Sequence, residues 1–186
     1  MPTNRSPVVP LTPALLVAAA NAFIGVSEQG GDNRGPMVEH FLRGVNLPPG
    51  QPWCAAFVHH VGHWSHYDHG SRRSSWPLPA TGSCETLARA ARAAGLLRSE
   101  PNVGDVFLLY SRVRRRFFHT GIVVDVFGEA RAHERDTHAC VTIEGNTNDD
   151  GSANGYTTLR KHRTFRAADG HAFIRWAEWS RQVVAA

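Results

Sequence analysis

Three residues, in order along the chain, carry groups that together could break an amide bond. Cys54 stands in Pro52-Trp53-Cys54-Ala55-Ala56-Phe57-Val58, where the stiff segment Pro48-Pro49-Gly50-Gln51-Pro52 turns into an amphipathic helix. At a helix start the unpaired amides and the positive end of the macrodipole stabilise a thiolate, which turns a thiol into a nucleophile. His119, in Phe118-His119-Thr120-Gly121-Ile122-Val123-Val124, follows 65 positions later, and Glu144, in Thr142-Ile143-Glu144-Gly145-Asn146-Thr147-Asn148, another 25 beyond it. In such a set Cys54 attacks a carbonyl and forms a thioester that water hydrolyses. His119 takes the thiol proton and delivers one to the leaving amine, while Glu144 orients the imidazole and favours its charged form. Asn146 shares the face of Glu144 if the strand continues, and either touches His119 or holds substrate. Each residue also has a plainer role open to it: a small buried hydrophobe, a structural histidine, a solvated strand-end carboxylate.

The elements that must position them are legible in the hydrophobic pattern. Thr12 and Pro13 open a helix bearing Leu15, Leu16, Ala19 and Phe23 that stops at Gly25. Pro36 starts a second with Val38, Phe41 and Leu42, closed by Gly44, and the cysteine helix repeats Phe57, Val58, Val61 and Trp64. Tyr67 to Gly82 reads as a long polar loop; Ser83 then caps a helix through Leu87, Ala90, Ala91 and Ala94 to Gly95. Strand patterns follow at 105–110, 117–127, 139–143, 155–160 and 172–176. Helices first and strands second imply an α+β fold, with N-terminal helices packed on an antiparallel β-sheet. Residues 1–10, with three prolines, read as a flexible N-terminal tail, and 11–186 as a single domain.

The motifs PWCAAFV, FFHTGIVV and TIEGNTND, in this order, resemble the CHAP family of cysteine, histidine-dependent amidohydrolases and peptidases, within the wider papain-like NlpC/P60 group. The resemblance spans about Leu11 to Trp176 and implies a papain-like fold with Cys54, His119 and Glu144 as catalytic triad. The family's pattern of Glu, any residue, Asn is matched by Glu144-Gly145-Asn146. It also implies an oxyanion hole built from the backbone amide of Cys54 and a glutamine ahead of it. Gln51 is the nearby candidate, although its spacing departs from the papain pattern. Relatives with an acidic calcium loop exist, but Glu28 and Asp32 alone supply too few hard ligands. The implied activity is a peptidoglycan hydrolase, either an N-acetylmuramoyl-L-alanine amidase or an endopeptidase, in a lysin or antibacterial effector. The alternatives are a cysteine amidase acting on a small-molecule amide conjugate and a non-enzymatic cell-wall-binding module.

Composition is compatible with this. The chain has 186 residues, 42% hydrophobic and 19% charged, enough for one domain with a sizeable core. Its formal net charge of +4 suits work against an anionic polymer. No run reaches the length of a transmembrane helix, so no membrane insertion is expected. Ala14 to Val26 is read as a first helix rather than a signal peptide, so the protein is expected to be made in the cytoplasm and to act on the wall after export or lysis, as a monomer. With three cysteines and one kept free as nucleophile, at most Cys84 and Cys140 could pair. His59 and His63 share a helix face, but His60 stands where the zinc-protease pattern needs a glutamate. No metal and no cofactor is therefore expected. Arg112 to Arg116 reads as an exposed hairpin tip; with no DNA or RNA module beside it, no nucleic-acid partner is expected. Serine-hydrolase, P-loop and dinucleotide motifs are missing from the sequence.

Overall fold

Helix α1 runs over Pro13–Asn21 in the computed structural model, which describes residues 12–69, 72–127, 137–149 and 155–179. The tail expected over 1–10 lies outside the described residues. Helix α1 ends sooner than its apolar pattern suggests, because the chain after it leaves to pair with a distant strand: Gly25 donates to the Thr158 carbonyl (2.9 Å) and Thr158 to that of Val26 (2.8 Å). Helix α2 spans Pro36–Gly44 and buries Val38, Phe41 and Leu42, as expected. Helix α3, Cys54–Ser65, buries Phe57, Val58 and Val61. Trp64, expected on the same face, is 55% exposed. Its ring meets that of Phe23 edge-on at 5.7 Å rather than entering the core.

The polar segment before the next helix is more than a loop. It forms a short antiparallel ribbon of β1 (Tyr67–Asp68) and β2 (Arg73–Ser74), and it buries Trp76 and Leu78. The Trp76 ring lies 4.7 Å from that of Trp176, which anchors the segment. Helix α4, Cys84–Ala93, begins at Ser83, whose hydroxyl accepts from the Thr86 amide at 3.2 Å.

Six further strands follow among the described residues: β3 (Leu97–Arg98), β4 (Val106–Ser111), β5 (Arg116–Phe127), β6 (Thr137–Thr147), β7 (Thr157–Arg166) and β8 (Ala172–Ile174). They form one antiparallel sheet in the order β3-β8-β4-β5-β6-β7. Among the described residues the architecture is α+β, four α-helices with a six-stranded antiparallel sheet. Strands β6 and β7 are longer than their apolar runs because they pair from Thr137↔Arg166 to Thr147↔Thr157, through residues too polar to signal a strand by themselves. Two-residue β3 left no pattern to read.

Alternation along the strands divides the core in two. Val106, Leu108, Ile122, Val124, Val141, Ile143 and Ile174 join the helices in one large cluster. The intervening Phe107, Val123, Cys140, Phe165 and Phe173 form a smaller one. Helix α3 lies against β5 and β6, the strands that carry His119 and Glu144. No helix among the described residues is long and apolar enough to cross a membrane.

Gly145 lets β6 approach the start of α3. A β-carbon there would fall 2.6 Å from the Trp53 ring and 2.7 Å from that of Phe57, both fully buried. Neither ring has room to yield, so Gly145→Ala is expected to cost about 1–3 kcal/mol, the usual range for overpacking. Denaturant unfolding checks this, and an unchanged midpoint would show that strand and helix are not in such contact.

Candidate active site

Cys54 is the first residue of α3, and no side chain caps that helix. Its first internal bond runs from the Phe57 amide to the Trp53 carbonyl at 2.8 Å. The amides of Cys54, Ala55 and Ala56 therefore gather at the helix mouth without an intrahelical partner. The Ala55 amide bonds the Cys54 sulfur.

His119 lies near the start of β5, 12% exposed, with its imidazole between Cys54 and Glu144. Nε2 meets Glu144 Oε2 at 2.9 Å, which leaves Nδ1 for the thiol. Glu144 has no exposed surface. Its Oε1 accepts from the Thr142 hydroxyl at 2.6 Å, and both carboxylate oxygens accept from the Arg163 guanidinium. Strand alternation explains Thr142, which stands two residues before Glu144 and so on the same face. Arg163 reaches across from β7, its guanidinium 5.8 Å above the Phe107 ring.

Charge follows from these contacts. Burial disfavours the Glu144 carboxylate, but the bonds and positive charges of Arg163 and His119 outweigh it and hold the group well below the usual carboxylate range. Burial likewise works against charge on His119, yet Cys54 and Glu144 push it up to about 9. The Cys54 thiol is lowered well below its ordinary value, first by a hydrogen bond from Cys84 and then, against burial, by His119 and the Ala55 amide. These contacts favour the thiolate–imidazolium form of the pair.

Asn146 does not touch His119. It sits at φ 57° in the irregular pairing of β6 with β7 between Glu144 and Thr147, which breaks the alternation that would have set it beside Glu144. Its Oδ1 accepts from the Trp53 amide at 3.1 Å, and its Nδ2 donates to Asn33 Oδ1 at 3.2 Å and to the Gly155 carbonyl. Asn146 therefore fixes the residue ahead of Cys54. Glu28 braces the same residue, accepting from the Trp53 indole at 2.9 Å. Gln51 is exposed, and the cleft beside Cys54 is lined by Pro52 and not by Gln51.

That cleft, about 710 Å³, is lined by Cys54, Cys84 and His119, with Arg114, Arg116, Lys161 and Arg163 along its walls. The expected arginine hairpin tip joins β4 to β5, and two of its arginines thereby reach the site. Cys84, Arg163 and Thr142 were not singled out as parts of the site from the sequence. Only Thr142 carried a signal, its two-residue spacing from Glu144. All three cysteines are free, and the neighbour of Cys84 is Cys54, at 3.8 Å between sulfurs, rather than Cys140. Among the described residues no three His, Cys, Asp or Glu side chains are placed to share a metal ion. His59 and His63 lie 5.8 Å apart ring to ring, while His60 packs on Phe41 at 4.8 Å. Burial, with His40 adding to it, lowers His60 to about 4.

No protein-family profile and no curated protein matches the chain. A solved structure described as "The crystal structure of Ly7917" is similar at 14% identity and a TM-score of 0.40, over 90% of this chain and 63% of that one.

The thiolate and imidazolium should coexist from well below the ordinary thiol range until His119 loses its proton at about 9. Alkylation of Cys54 by iodoacetamide is therefore expected to approach its plateau well below the ordinary thiol range. Cys84, raised well above its ordinary value by its bond to Cys54 and by burial, should lag behind it, as should Cys140, which burial and then Asp125 raise to about 11. Peptide-resolved labelling across pH checks this; a Cys54 rate that rises only through the ordinary thiol range, near about 8.5, would contradict it.

Proposed function

We propose that this chain is a cysteine hydrolase that cleaves amide bonds in peptidoglycan, a papain-like enzyme of the CHAP type. The observation that carries it is the line from Cys54, on an uncapped helix start, through His119 to the buried Glu144. The contacts of each member favour the protonation that acyl transfer requires. Cys54 as thiolate attacks the carbonyl carbon, and the Cys54 amide receives the developing oxyanion. His119 as imidazolium protonates the leaving amine, then as imidazole draws a proton from the water that opens the thioester. Glu144 keeps Nε2 occupied, so that Nδ1 alone exchanges protons with the reaction.

A basic cleft suits a polymer that carries carboxylates, and Arg114 and Arg116 have no carboxylate partner among the described residues. In the proposed setting the chain reaches the wall from the cytoplasm through export or lysis.

The test is digestion of purified peptidoglycan followed by mass spectrometry of the released fragments. Cys54→Ala should abolish release of new termini while leaving the fold and polymer binding nearly intact, and His119→Ala should be similarly inactive. Glu144→Gln, which retains shape and loses charge, should be impaired less than either and should shift the alkaline limb of the pH profile down from about 9. Turnover of a small-molecule amide with no release from any wall would keep the chemistry and reassign the substrate. An unreactive Cys54 with no turnover of either would favour a binding module.

A further inference from the structure

Cys84 has no part in the hydrolysis proposed above, yet its sulfur lies 3.8 Å from that of Cys54. The two thiols come from different helices, and each is the first residue of its own. Two helix starts thus face one another beside the cleft, and both cysteines line it. At 4% and 6% exposed, the two cysteines are largely buried and are reached from the cleft that both of them line. A disulfide holds its sulfurs about 2.05 Å apart, so the gap to close is of the size that small side-chain rotations cover.

We propose that Cys54 and Cys84 form a peroxide-reactive dithiol site, in which Cys84 converts oxidised Cys54 into a reversible intramolecular disulfide. In the first step the Cys54 thiolate attacks one oxygen of hydrogen peroxide. A sulfur–oxygen bond forms, the oxygen–oxygen bond breaks, and Cys54 becomes a sulfenic acid. The departing hydroxide takes the proton held by His119 and leaves as water. In the second step the Cys84 sulfur attacks the Cys54 sulfur; the sulfur–sulfur bond forms, the sulfur–oxygen bond breaks, and hydroxide leaves with the Cys84 proton as a second water. Two thiols are oxidised and one peroxide is reduced.

The surroundings favour this order. While Cys54 is charged, the bond between the thiols keeps the Cys84 proton in place. Once Cys54 is a neutral sulfenic acid that restraint is gone. Burial still opposes a Cys84 thiolate, but the helix-start amide and nearby Arg116 favour it. Cys140 is not placed to take over: it is packed in the smaller core cluster with Phe107, Val123, Phe165 and Phe173.

The chemistry stands apart from hydrolysis, because its readout is covalent mass. The full chain is treated with a small excess of hydrogen peroxide and mapped as non-reduced peptides. A Cys54–Cys84 linkage is expected, with alkylatable Cys54 falling by about tenfold and returning on dithiothreitol. Cys84→Ser and Cys84→Ala, at the same dose, should form no such linkage and should drive Cys54 to sulfinic and sulfonic acids that dithiothreitol does not restore. Cys140→Ala should keep the linkage. Cys54 over-oxidised equally with and without Cys84, a disulfide that vanishes with Cys140, or a Cys54 inert to peroxide would each overturn the proposal. A chain that forms the linkage yet cleaves no wall polymer keeps this site and loses the peptidoglycan reading.

Discussion

A fully buried carboxylate is the constraint on which this structure turns. Desolvating Glu144 costs several kcal/mol unless the charge is paired and its lone pairs are filled. Arg163 from β7, His119 from β5 and Thr142 from β6 itself do that together. Three neighbouring strands must hold register for one side chain to remain ionised, so the sheet order is written into the electrostatics of the site. The same carboxylate holds the imidazolium in place, and the imidazolium holds the thiolate. Folding and reactivity therefore draw on one set of contacts, and a disturbance at Arg163 would be felt at Cys54 without touching it.

The second constraint is steric. Strand β6 bears Glu144, Gly145 and Asn146 in succession, and each does something different. Glu144 meets the histidine, Gly145 admits the rings of Trp53 and Phe57, and Asn146 turns back to hold the Trp53 amide. A regular strand could not do this, since alternate residues would face alike. The left-handed conformation of Asn146, a cost that asparagine bears better than most residues, frees its amide to reach α3. The helix start is thereby located by a side chain, independently of packing.

How much of this was legible depends on the kind of signal each residue left. Helix limits at Pro36, Gly44, Cys54 and Ser83 were readable because proline, glycine and capping chemistry act over a few residues. Cys54, His119 and Glu144 could be paired because each sits in a distinctive local setting. Arg163 was hidden: in the alternating basic run of β7 nothing separates the arginine that faces a buried acid from those that face water. The partners of Asn146 were not legible, because an irregularity in strand pairing leaves no mark in hydrophobic periodicity. Cys84 directly follows the capping Ser83, but the nearness of two helix starts is a property of packing, which no local pattern records.

Lys161 is the only lysine in the chain, and its ammonium, bonded to the Asn148 carbonyl, stands on the wall of the cleft. Arginine supplies every other permanent side-chain cation. Among the side chains, then, amine-directed chemistry of any kind, whether a surface linker, a biotin ester or an enzymatic conjugation, has a single address, and it is the mouth of the site. Attachment there would place the added group on the wall of the cleft, so the composition of this protein offers a single side-chain tether, and it stands beside Cys54 and His119.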